Sequence, residues 1–197
     1  MGSVPWVNVM GMDPGTHYLG LSVACLDIQA MKIAELHSKT IVLDQLVINK
    51  HIVASHSHQF ARLHALGLVV QEEFRIWDIA CLFCESPYYS HKTPTAFGPL
   101  TATVTTVRHS LAAYDPTLAM VLLSPSQIKN VVGASGGAKK PEVLEAMKLI
   151  LGQLPLVDDL NDLGPDAIDS LAATLAGCVE LGVYRPEIKP SKKGKKK

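Results

Sequence analysis

The chain has 197 residues, and its 18 Lys and Arg balance its 18 Asp and Glu. The balance is uneven in position. Five lysines (Lys192, Lys193, Lys195, Lys196, Lys197) crowd the end, so residues 1–190 carry 13 basic against 18 acidic side chains, a net of −5. Such a body argues against binding through a generally basic surface, whereas a basic tail is an electrostatic handle for polyanions. With 48% hydrophobic residues, one substantial core is expected over residues 1–185, followed by a disordered basic tail over 186–197. No apolar run approaches the ~18 residues of a membrane span, and MGSVPWVNVMGMD lacks the pattern of a signal peptide. The expectation is a soluble cytoplasmic protein of a bacterium or a phage-infected cell, with an organelle form left open.

The first half reads as β-structure. Val7 to Met12 is short and apolar, Leu19 to Leu26 follows a glycine-containing turn, and a third strand falls within Met31 to Val47, where ELHSKTIVLD alternates. The period then changes. From His58 to Trp77, apolar residues recur at spacings of three and four, as on one face of a helix. IACLFCE returns to strand, a helix is expected over Phe97 to Tyr114, and AMVLLS reads as a further buried strand. After Ser124-Pro125 the pattern is helical, broken by the glycine-rich GASGGAKKP. Pro141 suits the first turn of a helix ending near Leu151, and Gly164-Pro165 opens the last helix. Short connections make the first three strands an antiparallel meander, and the later strands, separated by helices, add in parallel through right-handed crossovers.

Cys81 and Cys84 form a CxxC with no second copy. Residues three apart on a strand point to opposite faces, so these are read as buried free thiols rather than a zinc or redox pair. Cys25 and Cys178 are isolated in apolar surroundings. Of the histidines, His56 and His58 read as solvent-facing, and His17, in the turn after Asp13, is the one expected near a substrate.

Four carboxylates occupy unusual places. Asp13 ends an apolar strand in MGMDPG, Glu85 ends another in IACLFCESP, and Asp166 and Asp169 lie three apart at the start of the last helix in GPDAIDSLAA. Acids ~5–6 Å apart on a helix repel unless a cation lies between them. Hard divalent ions take oxygen ligands, and paired ions ~3.5–4 Å apart activate a water and stabilise a leaving oxygen in phosphoryl chemistry. Each acid also has a bland reading: a turn at Asp13, a loop at Glu85, a helix-start charge at Asp166, a solvated face at Asp169. Asp158, Asp159 and Asp162 show what ordinary loop acids look like here.

DPGTHYLG resembles the first motif of the RuvC-type Holliday-junction resolvases. CLFCESP resembles their strand ending in the second catalytic acid, SPSQIKNVVGASGGAKKPEV their lysine-bearing segment, and GPDAIDSLAATLAG their closing helix. The resemblance implies an α/β, ribonuclease H-like mixed five-stranded sheet flanked by helices. It implies Asp13, Glu85, Asp166 and Asp169 as metal-binding catalytic acids, holding Mg2+ (Mn2+ as a substitute), two ions per active site. It implies a homodimer that cuts four-way DNA junctions by paired symmetric nicks. Tyr88 matches an aromatic that stacks on unpaired bases, a role also open to Tyr89. Lys129 and Lys140 match lysines near the scissile phosphate, with Lys140 catalytic. Lys92 and Lys139 join the expected DNA contacts. The segment from Gly133 to Lys140 is one residue longer than the family pattern, which leaves Lys139 and Lys140 interchangeable, and Ser170 replaces the usual alanine.

Three alternatives stand beside this reading. D-P-G-T also resembles the phosphate loop of actin-like ATPases, which need two such domains where this chain has one. A nuclease of the same fold acting on other branched DNA or on RNA–DNA hybrids is the second. A catalytically silent junction-binding protein is the third.

Overall fold

A computed structural model describes residues 6–47, 50–89, 91 and 94–185, the Lys140 side chain excepted. Five strands form one sheet: β1 (Trp6–Pro14), β2 (Tyr18–Asp27), β3 (Lys32–Val42), β4 (Ile79–Glu85) and β5 (Ala119–Leu123), in the order β3-β2-β1-β4-β5. β1, β2 and β3 pair antiparallel, and β4 and β5 extend the sheet parallel to β1. The expected mixed sheet is therefore observed, with its strands in the expected chain order.

Two helical layers cover the sheet. On one face lie α3 (His58–Trp77) and α4 (Phe97–Tyr114), the two crossover helices, whose Leu66, Val70, Phe74, Val104 and Val107 pack on Met10, Met12, Leu21 and Val23. On the other face lie α5 (Pro125–Val131), α6 (Lys140–Leu151) and α7 (Pro165–Glu180), with Leu171, Leu175 and Met147 packing against Val9, Leu26 and Phe83. A central strand covered on both faces must be apolar on both, and nearly all of β2 is buried. Two short helices that the sequence pattern does not announce, Leu43–Leu46 (α1) and Lys50–Ser55 (α2), bridge β3 to α3. α3 ends on Asp78, which adopts the left-handed conformation (φ 45°) and turns the chain straight into β4.

Two expectations need correction or refinement. AMVLLS is not a buried strand: β5 is the sheet edge, and within it only Leu123 is buried while Ala119, Val121 and Leu122 are exposed. An apolar run reports strand propensity, whereas burial depends on which elements pack over it. The CxxC behaves as expected, with four free cysteines, Cys84 in the core beneath α3 and α4 and Cys81 against the opposite core. Burial pushes the Cys81 thiol up to about 11. Neither thiol is poised for redox or metal chemistry. Among the described residues no helix is long and apolar enough to cross a membrane. The basic tail from residue 186 lies outside the described residues.

Candidate active site

β1 and β4 are adjacent and parallel, with Met12 opposite Cys84. Their next residues, Asp13 and Glu85, therefore leave the same end of the sheet on neighbouring strands, ~4.8 Å apart in the pairing direction. Both line a cleft of about 700 Å³. Asp169, from α7, lines the same cleft. Three carboxylates from three separate elements thus converge on one concavity.

The placement of Asp169 follows from how α7 is held. Gly164, at its N-cap, offers no side chain, and Pro165 fills the first turn. The cap is supplied from across the sheet: Thr40 Oγ1 accepts the Ala167 amide (3.2 Å), and Ser38 Oγ donates to the Ala167 carbonyl (2.9 Å). Two turns on, Ser22 and Thr174 share a buried hydrogen bond. These contacts register the helix against β2 and β3. Glycines at Gly11 and Gly20 let it come close. A Cβ on Gly20 would lie 2.0 Å from the Asp166 carbonyl oxygen, and one on Gly11 would lie 2.1 Å from Thr174 Oγ1. The buried hydroxyl of Ser170 donates to the Ala167 carbonyl (2.7 Å) and so belongs to the same fastening.

The electrostatics agree with the geometry. Cys84 lies buried in the core beneath α3 and α4, and its thiol is pushed well above the usual range by burial first and then by the charges of Asp13 and Glu85. The donor set is all oxygen, which suits a hard divalent cation rather than zinc or copper. Asp166 is on the first turn of α7 but does not line the cleft.

The expected cationic and aromatic residues separate by location. Lys129, on α5, lines the cleft and donates from Nζ to the Ala138 carbonyl (2.9 Å), tying the glycine-rich loop to the helix. α5 is itself fixed by a reciprocal capping box between Ser124 and Gln127. Lys139 is exposed at the N-cap of α6, its amide bonded to Glu142 Oε2 (2.9 Å). Lys92 and the side chain of Lys140 lie outside the described residues. Tyr88 lines the cleft and is 65% exposed. Tyr89 is turned aside, packing edge-on to His91 and Phe97.

His17 does not line the cleft. Its ring bonds Asp44 (2.7 Å) and meets the Arg62 guanidinium. The His17 hydrogen bond, more than the nearby charge of Arg62, lowers the Asp44 carboxyl below its ordinary value. Arg62 and Asp44 come from α3 and α1, and no sequence signal linked them to the turn after Asp13. His56 and His58 are exposed, as expected. Sequence spacing also gave no hint that Cys25, far from isolated, shares a face with Glu35 and His37.

No family model matches the chain, and neither does any curated protein. Solved structures do. RuvC from Thermus thermophilus superposes with a TM-score of 0.62 at 20% identity, covering 91% of this chain and 99% of that one. The T. thermophilus RuvC solved with a Holliday junction substrate gives 0.61 at 19% identity over the same shares. The yeast mitochondrial Holliday junction resolvase Ydc2 gives 0.62 at 15% identity, covering 92% of this chain and 82% of its own. At these identities the likeness is one of architecture. The chain has the RuvC-type, ribonuclease H-like fold.

Proposed function

We propose that this protein is a structure-selective endonuclease that resolves four-way DNA junctions by paired nicks, acting as a homodimer. The observation that supports it most is the convergence of Asp13, Glu85 and Asp169, from two parallel strand ends and a helix, on one cleft that also holds Lys129 and opens beside Tyr88. Structures of the same fold include resolvases, one of them solved with a Holliday junction.

In this reading Asp13, Glu85 and Asp169 hold the divalent cations, with Asp166 joining them from the same helix. Bound Mg2+ or Mn2+, two per site, would supply a more acidic water and a stabilised leaving oxygen for in-line displacement at phosphorus. The protein groups do the rest. The acids orient the cations, and their oxygen donors exclude soft metals. Lys129 offsets phosphate charge at the cleft wall, with Lys139 and Lys140 doing the same from the start of α6. Tyr88 offers a stacking face to a base unpaired at the crossover, which favours a junction over continuous duplex. Cutting two strands symmetrically requires two such clefts, hence two copies of the chain.

A labelled immobile four-way junction, incubated with and without Mg2+ beside the Asp13→Asn variant, tests the proposal. The wild type should release paired nicks only with the metal, and the variant should lose on the order of 10²-fold or more in rate, the equivalent of ~3 kcal/mol of barrier. Equal cleavage by the variant, or cutting of duplex as fast as junction, defeats the proposal. Faster cutting of an RNA–DNA hybrid would instead identify a hybrid nuclease. Binding without cleavage in either metal would identify a junction-binding module.

A further inference from the structure

At the opposite end of the sheet from the cleft, Cys25, Glu35 and His37 bring a thiol, a carboxylate oxygen and an imidazole nitrogen within 4.8 Å of one another. Cys25 stands opposite Glu35 across the β2–β3 ladder, and His37 is the next residue of β3 on the same face. Cys25 also pairs with Asn8 on β1, five residues before Asp13, which puts this cluster ~17 Å from the cleft at ~3.3 Å per residue. It is a separate place with separate chemistry.

We propose that Cys25, Glu35 and His37 form a zinc site. Zinc is the borderline-soft dication that accepts sulfur, nitrogen and oxygen together, whereas Mg2+ and Ca2+ require oxygen. A thiolate, a carboxylate and a neutral imidazole balance the charge of a dication, so the loaded cluster is neutral at the sheet surface. Tetrahedral zinc, with bonds of ~2.0–2.3 Å, separates its ligand atoms by ~3.3–3.7 Å. The cluster therefore closes by about an ångström on loading, a movement within reach of side-chain torsions. Three protein ligands leave one coordination position for water.

The surroundings are those of a built site. A ladder irregularity falls directly after Cys25, between Cys25 and Leu26, and such bulges re-aim side chains. His37 Nε2 lies 3.3 Å from Glu35 Oε2, and its ring rests against Trp77 with centroids 4.8 Å apart, so the imidazole is held from two sides. Trp77 is in turn anchored through its carbonyl, which accepts from Asn8 Nδ2. Lys39, the next side chain along this face of β3, is drawn away into an ion pair with the buried Glu73 (2.7 Å). A filled site would fasten the β2–β3 hairpin beside the C-terminal end of α3.

Cobalt titration of the chelator-stripped full chain, in excess Mg2+ to occupy the oxygen-rich cleft, tests this directly. Thiolate-bound Co2+ gives a charge-transfer absorption that carboxylates do not. One equivalent should develop that band, zinc should displace it, and zinc should raise the thermal midpoint. Cys25→Ser should abolish the band, and Glu35→Gln and His37→Gln should weaken binding at least about tenfold. Cys81→Ser and Asp13→Asn should bind as the wild type does. No band in the wild type, or a band that survives Cys25→Ser, overturns the proposal. If circular dichroism shows Cys25→Ser unfolded, folded His37→Gln decides: wild-type affinity there overturns it equally. None of these readouts depends on nuclease activity.

Discussion

Tyr88 and Tyr89 stand side by side just past Glu85, and sequence reasoning had no means of choosing between them. The structure separates them by their neighbours. Tyr89 makes edge contacts with His91 and Phe97, at centroid distances of 5.2 and 5.9 Å, which a stacked base would have to displace. Tyr88 has its ring at the cleft rim and 65% of its surface open. Base stacking on an aromatic contributes ~1–3 kcal/mol. Tyr88→Ala should therefore weaken junction binding about 5- to 150-fold by gel shift in Ca2+, while Tyr89→Ala should change it several-fold less. A larger loss in Tyr89→Ala would reverse the assignment. Asp166 and Asp169 diverge for a similar local reason. Residues three apart on a helix share a side but are offset in angle and in rise along the axis, and only the second of them meets the cleft wall.

At the scale of elements, what was legible in the sequence was whatever repeats. The helix from His58 to Trp77 and the one from Phe97 to Tyr114 have the bounds their periodicity predicts, because twenty or so residues of consistent pattern leave little ambiguity. The acids at the ends of β1 and β4 were legible too, since a charge closing an apolar strand has few structural uses. The fastening of α7 was not. Thr40 and Ala167 are 127 residues apart, and nothing local in either segment announces the pairing. Nor does local pattern tell a covered strand from an edge, as Val121 and Leu122 show. The glycines of β1 and β2 were likewise silent until the helix lay on them. Gly20→Ala tests that close approach. A methyl group 2.0 Å from the Asp166 carbonyl cannot be absorbed by a flexible side chain, so α7 must shift. Overpacking of this kind costs ~1–3 kcal/mol, which for a chain of this length lowers the thermal midpoint by roughly 2–12 °C. Because Asp166 and Asp169 move with the helix, nuclease activity assayed well below that midpoint should fall as well. A variant that keeps both midpoint and activity would mean that α7 is not registered through Gly20.

For the whole molecule, the neutral total charge is a sum of unlike parts. Three of the acids that give residues 1–190 their net of −5 are gathered at one cleft, where divalent cations would cancel them, and more would be cancelled with Asp166 included. Under the proposed function the excess acidity is concentrated in a cation-holding cleft instead of being spread over a surface that repels DNA. The five terminal lysines are a different quantity, a run of positive charge in the sequence suited to a polyanion. Each phosphate neutralised on duplex DNA contributes ~0.9 to the slope of log affinity against log salt. If all five lysines engage the junction arms, deleting residues 187–197 should flatten that slope by up to about 4.5 and weaken binding most at low salt. The deletion leaves every described cleft residue in place, so the cleavage rate at saturating protein should hold while the concentration needed to reach saturation rises. Measuring junction affinity across a salt series for the full chain and the truncated one separates these effects. An unchanged slope would assign the DNA contacts to the folded body alone, with Lys129 and the lysines at the start of α6 as the cations to remove next.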